Sequence, residues 1–350
     1  MPTNDNRQAR KSTRPTPPDP DRLARAVAQV DEALGRLTMS RLRFVLRLEQ
    51  DMPALPDYYG SMLRGGLGVY FRRLVCVQPQ VTHCRDCALL HQCAFPYVFE
   101  TPLPPHVPSA AHLQQVSPYL LSPVTGGGDK PAGTWLEFDL TLFGRAVDYL
   151  PYFIISYRQL GEHGGLGRGR VPFKLAYVFD QTPGAPPRLL YAAADGTVNI
   201  QPQRTTLGDL TPVQPDAVDT VVIRALTPMR IKAQERITMQ PPFRALCAAL
   251  LRRLSQLVLV HAQGAWEVDG GAILTAAAAV QGTYTDVTTA NWERYSTRQG
   301  QHIRMDGALG CMTYQGELQP FLPLLWAGRH THVGRGSTFG NGRYEVYVHA

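Results

Sequence analysis

One order of elements is written twice along this chain, and the repetition constrains the fold more than any single motif. In the first half "RLRFVLRLEQ" (41 to 50) alternates as a strand and "YYGSMLRGGLGVYFRRLV" (58 to 75) has helical spacing. "SPYLLSP" and "TWLEFDLTLFG" form a hairpin across the turn-rich "VTGGGDKPAG", "LPYFIISYRQLGEHG" is a helix, and "RVPFKLAYVFD" is a strand. After a proline-rich stretch the order returns. "TVVIRALTPMRIK" (220 to 232) is a strand, "FRALCAALLRRLSQLVLV" (243 to 260) a helix, and "NWERYSTRQGQ" with "GALGCMTYQG" a strand pair. "LQPFLPLLWAGRHTHVG" is the second helix, and "RYEVYV" closes as a strand. Each half therefore reads βαββαβ, with a glycine-rich loop before its last strand, which is the ferredoxin-like order.

The expected class is α+β, with two tandem ferredoxin-like (RRM-like) folds and a Cys-rich insertion (76–100) in the first. Residues 1–20 are polar and Pro-rich and are expected to be disordered. Residues 21–180 form the first domain, led by the amphipathic helix "DRLARAVAQVDEALGRL". Residues 181–218 form a linker with a possible hairpin, and 219–350 the second domain. A chain of 350 residues suffices for two such cores without disulfides. No apolar run approaches the length of a membrane span and the N-terminus lacks the apolar region of a signal peptide, so a cytoplasmic protein without a membrane partner is expected.

Nine of the 31 glycines fall in the two loops. Each loop adds fixed positive charge: Arg168, Arg170 and nearby Lys174 in the first, and Arg329, Arg335 and Arg343 in the second, around Gly334, Gly336, Gly340 and Gly342. A dinucleotide fingerprint or P-loop needs a helix after its glycines, and only a strand fits after the second loop. Successive N–H groups with guanidinium forks instead make a nest for phosphate without a helix behind it. Glycines that merely permit a tight helix-to-strand turn are the plainer alternative. A net charge of +7 is compatible with a polyanionic partner.

The pieces "SMLRGGLGVYFRRLVC", "CAFPYVFE", "GGLGRGRVPFKL", "VIRALTPMRIK", "RYSTRQG", "GALG" and "HVGRGSTFGNGRYEV", in that order, resemble the CRISPR-associated repeat-processing endoribonucleases of the RAMP superfamily. The resemblance spans roughly residues 41 to 350. It implies binding of CRISPR repeat RNA and cleavage of precursor crRNA by its own 2′-hydroxyl. Such cleavage uses no metal and leaves a 2′,3′-cyclic phosphate and a 5′-hydroxyl. Retention of the product within an effector complex, beside other CRISPR subunits, is implied too. A catalytically silent RAMP subunit that holds the crRNA handle fits the same pieces.

Cleavage of this kind needs proton transfer to and from oxygen, and positive charge at the phosphorane. Histidine and arginine suit those tasks. His332, at the entry to the second loop, is the candidate base or acid, with His330 beside it and Arg335 to steady phosphate; a helix-end histidine capping carbonyls is the other reading of His332. The first half offers His83, His91, His106, His112 and His163 instead.

Cys76-x7-Cys84-x2-Cys87-x5-Cys93 supplies four thiols, enough for a closed structural zinc site remote from catalysis. An iron–sulfur cluster, or free thiols, would use the same residues, and His83 or His91 could replace one ligand.

Overall fold

The computed structural model describes residues 19–104, 107, 116–194, 196–212, 217–262, 264–290, 292–296 and 301–349. The expected disordered tail lies almost wholly outside them. Helix α1 (Pro20–Arg36) begins at the Asp19 N-cap, whose carboxylate accepts from Asp21 N, with proline in the first turn.

The first repeat follows as β1 (Thr38–Leu48), α2 (Gly60–Val75), β2 (Tyr119–Pro123), β3 (Trp135–Phe143), α3 (Leu150–His163) and β4 (Phe173–Asp180). Its strands lie in the order β2-β3-β1-β4, and β1 pairs antiparallel with both β3 and β4. Alternation along β1 sends Leu42, Phe44 and Leu48 into the core beneath α2 and α3, and Arg41, Arg43 and Arg47 to the opposite face. Phe44 pairs with Phe138 in register, and their rings stack at 5.2 Å. Each such buried side chain contributes about 1.5–3 kcal/mol relative to exposure.

Residues 181–218, expected as a linker with a possible hairpin, add three short strands to this sheet, two of them paired as a hairpin. β5 (Arg188–Ala192) pairs with β4, β6 (Thr197–Val198) with β5, and β7 (Thr205–Thr206) with β1.

The second repeat runs β8 (Thr220–Met229), α4 (Phe243–His261), α5 (Gly270–Ala277), β9 (Gln281–Ala290), β10 (Gly307–Gln315), α6 (Leu322–Thr331) and β11 (Tyr344–His349). The strand order β9-β10-β8-β11 repeats that of the first unit, so both sheets are ferredoxin-like. One expectation is corrected here. β10 pairs with residues 281–290, while 293–296 and 301–304 form a separate small hairpin. β9 is a largely exposed edge strand rich in threonine, so it lacks the apolar alternation that marked the others.

The leading helix also departs from its sequence neighbours. Ala26, Val30 and Leu34 of α1 join the core of the second unit, and Arg22 pairs with Asp269, the N-cap of α5, at 2.6 Å. The two repeats are thereby tied together from opposite ends of the chain. Among the described residues no helix is long and apolar enough to cross a membrane.

Candidate functional site

Both glycine loops meet the first turn of α2. A Cβ placed on Gly60 would fall 2.1 Å from Phe339 O of the second loop, so only glycine allows that backbone approach. Arg64, one turn further along, lies over the Phe339 ring at 5.8 Å. On the other side, Gly167 of the first loop faces Met62. Tyr58, just before the helix, packs its ring 5.3 Å from Trp292 of the second unit.

The second loop is tightly built. α6 ends at Thr331, and His332 follows with φ 57° and ψ 165°, a conformation that costs an L side chain about 1–3 kcal/mol. Gly334, Gly336, Gly340 and Gly342 all have positive φ. The loop's N–H groups are largely paired within the protein: Val333 with Gly342 O at 3.1 Å, Arg335 with Arg230 O at 3.0 Å, Gly342 with Pro228 O at 3.0 Å, and Arg343 with Thr227 Oγ1 at 2.9 Å. The nest expected there is thus mostly closed on itself, and Arg335 projects from it into solvent.

Behind the loop lies a polar cavity of about 60 Å³, bordered by Arg41, Asp139 and Thr141 of the first sheet and by Arg329, His332 and Arg343 of the second unit. Arg41 Nη2 lies 3.0 Å from His330 Nδ1. A guanidinium only donates, so Nδ1 accepts and the His330 proton resides on Nε2. Burial, reinforced by Arg41 and Arg329, pushes His330 down to about 3. Burial also holds His332 well below the usual imidazole range, with Arg343, Arg41 and Arg253 acting in the same direction and a hydrogen bond to the Asn341 backbone opposing them. Among the described residues, His332 Nδ1 and both polar atoms of the Asn341 side chain are buried without a hydrogen-bond partner. Arg41 is itself lowered by burial, against the raising effect of Asp139. Both histidines are therefore neutral near pH 7, the form a proton acceptor needs, among guanidinium groups suited to a phosphorane.

Residues 37–203 match a family model described as an N-terminal domain, and residues 223–344 match the model of the CRISPR-associated endoribonuclease Cas6 family. The chain carries a Cas6-family domain. Its glycine loop, the cavity and β11 up to Tyr344 all belong to the matched stretch or face it. Among solved structures, the fold is similar to that of Thermus thermophilus Cas6 in a product complex, with a TM-score of 0.53, 16% identity, and coverage of 88% of this chain and 100% of that one. A partial Cas6-RT-Cas1-Cas2 complex gives a TM-score of 0.50 at 12% identity, covering 90% of this chain and 47% of that one. Among curated proteins nothing matches.

The remaining sequence candidates sit elsewhere around the Cas6-family domain. Arg168 and Arg170 are exposed in a tight turn closed by the Leu166–Val171 bridge. Lys174 is opposite Arg47, which is in turn opposite Trp135 on β3. Arg47 lies over that indole at 5.8 Å, Trp135 stacks with Tyr177 at 6.1 Å, and Trp135 is 45% exposed. Six strand residues, about 20 Å, separate this group from Arg41 along β1. The structure therefore gathers His330, His332 and Arg343 but leaves Arg168, Arg170 and Lys174 apart from them.

His83, His91 and His163 are exposed, and His106 and His112 lie outside the described residues. Arg253 of α4 points inward. Its Nε donates to Thr331 O at 3.3 Å, and burial pushes it down to about 10. Arg41 and Trp135 were missed by sequence reasoning. The outward phase of Trp135, Glu137 and Asp139 along β3 was the available signal, whereas nothing in the sequence brings Arg41 to the second unit.

Proposed function

We propose that this protein binds CRISPR repeat RNA and cleaves precursor crRNA through attack by the RNA's own 2′-hydroxyl, leaving a 2′,3′-cyclic phosphate and a 5′-hydroxyl. The observation that carries it is the position of the Cas6-family glycine loop, wedged between two ferredoxin-like sheets beside neutral His332 and a cluster of arginines. In this reading His332 accepts the 2′-hydroxyl proton, and Arg343 with Arg41 stabilises the phosphorane. His330, turned to Arg41, holds that guanidinium in place. Because the second loop's N–H groups are mostly paired, contact with phosphate falls chiefly to side chains: Arg335 near the seam, and Arg168, Arg170 and Lys174 at the far end. Exposed Trp135, with Arg47 over it, offers a base a stacking surface near Lys174. The product RNA is then held as the handle of a CRISPR effector complex.

One observation favours a second reading. His332 is only 5% exposed, and a buried histidine also suits a catalytically silent subunit that holds the same handle. Incubating the full chain with repeat hairpin RNA in EDTA separates the two. Site-specific cleavage to a cyclic phosphate, abolished by a single 2′-deoxy substitution at the cut, is the expected result. Tight binding with intact RNA selects the silent subunit.

A further inference from the structure

Cys76, Cys84, Cys87 and Cys93 all border one cavity of about 250 Å³ at the end of α2. All four are free thiols. Cys76 caps the helix through its N–H to Arg72 O, Cys84 and Cys87 bracket one tight turn, and Cys93 closes the next with its N–H on Leu89 O at 2.9 Å. From Cys76 to Cys93 no residue is buried. This stretch consequently has no apolar core of its own, and polar ties such as Arg72 Nη2 to Val81 O at 2.8 Å are a small substitute. Segments of this kind are ordinarily held by cross-links or metals.

A single zinc ion with bonds of 2.3 Å requires its four sulfurs to lie within about 4 Å of one another. Among the described residues no three Cys, His, Asp or Glu side chains converge on such a point. His83 and His91 are exposed and do not border the cavity, so neither completes a tighter set. Four thiols spread around one hollow call for something larger between them.

We propose that these cysteines hold a four-iron, four-sulfur cluster, each thiol losing its proton to ligate one iron. Four irons and four sulfides fill the space that one ion leaves between separated thiolates. Leu89, Leu90, Phe95 and Tyr152 provide the apolar wall that keeps water from the sulfurs. The cluster ties the end of α2 to the turn at Pro96–Glu100, where Tyr97 Oη meets His261 Nδ1 of α4 at 3.1 Å. It thereby braces a joint between the two units, independently of any RNA chemistry.

Full-length protein purified without oxygen, and reconstituted with ferrous iron and sulfide, is expected to retain about four irons and about four acid-labile sulfides per chain after gel filtration. A broad visible absorption that bleaches on reduction should accompany them. Cys84→Ser with Cys87→Ser should remove nearly all of both, while Cys311→Ser, away from the cavity on β10, should keep both. About one zinc per chain without iron, or neither iron nor sulfide retained by the wild-type chain, overturns the cluster, as does a double variant that keeps its full iron content. If the double variant does not fold, the wild-type stoichiometry and the paramagnetic resonance of the reduced protein decide the matter.

Discussion

The two glycine loops occupy the same place in their repeats and touch the same helix end, yet they are built for different work. The first, around Gly165 to Arg170, anchors Leu166 in the core of the first unit and leaves Gly167, Arg168, Gly169 and Arg170 exposed. The second is threaded into the seam: Val333, Gly340, Asn341 and Gly342 are buried, and a Cβ on Gly342 would lie 1.8 Å from Val333 O. Duplication supplied one backbone solution twice. What differs is the neighbour: both loops touch α2, but the second also closes against the sheet of the other unit, where Gly340 faces Leu121 O. An exposed basic turn supports attraction of a polyanion, and a buried one supports positioning.

That contrast can be broken at three points. The largest effect is expected at His332, whose φ of 57° makes glycine the replacement that keeps the loop unstrained. His332→Gly should slow cleavage on the order of 10²- to 10⁴-fold with repeat affinity nearly unchanged, whereas His163→Ala at the end of α3, just before the first loop, should cleave normally. The pH profile sharpens this assignment. A base whose pKa is held well below 6.5 is already deprotonated at pH 6 and gains nothing above it, so its rate stays level as pH falls from 8 to 6. A rate that declines through an apparent pKa near 6.5 would move the proton transfer to an exposed histidine.

Next comes stability. Gly342→Ala forces a side chain into backbone at positive φ and should cost about 3 kcal/mol or more, read as a lowered midpoint in urea unfolding. In the first loop, a Cβ on Gly169 meets nothing nearer than 3.7 Å, and Gly169→Ala should stay within about 0.5 kcal/mol of wild type. Equal costs would show that the loops are not packed differently. The smallest effect concerns salt. Arg168→Ala is expected to weaken RNA binding uniformly and to lower the slope of log affinity against log salt by about 1, with the cleavage rate of bound RNA preserved. An unchanged slope would remove phosphate from the role of the first loop.

The sequence by itself determined the duplicated βαββαβ order, because apolar residues at periods of two and 3.6 must turn to a common core whatever lies beyond. It marked both loops through their glycines, and the four cysteines through their spacing. β9 escaped because an exposed edge strand leaves no apolar alternation, and the proline-rich 181–218 stretch showed a possible hairpin but not the pairing of its short strands with β1 and β4. Only the tertiary structure decided that α1 serves the core of the second unit, that Arg41 and His330 meet across 289 residues, and that the four thiols border one cavity. The reason is physical. Local pattern fixes which side of an element is buried, whereas the titration of a histidine depends on dehydration and on charges that distant segments bring to it.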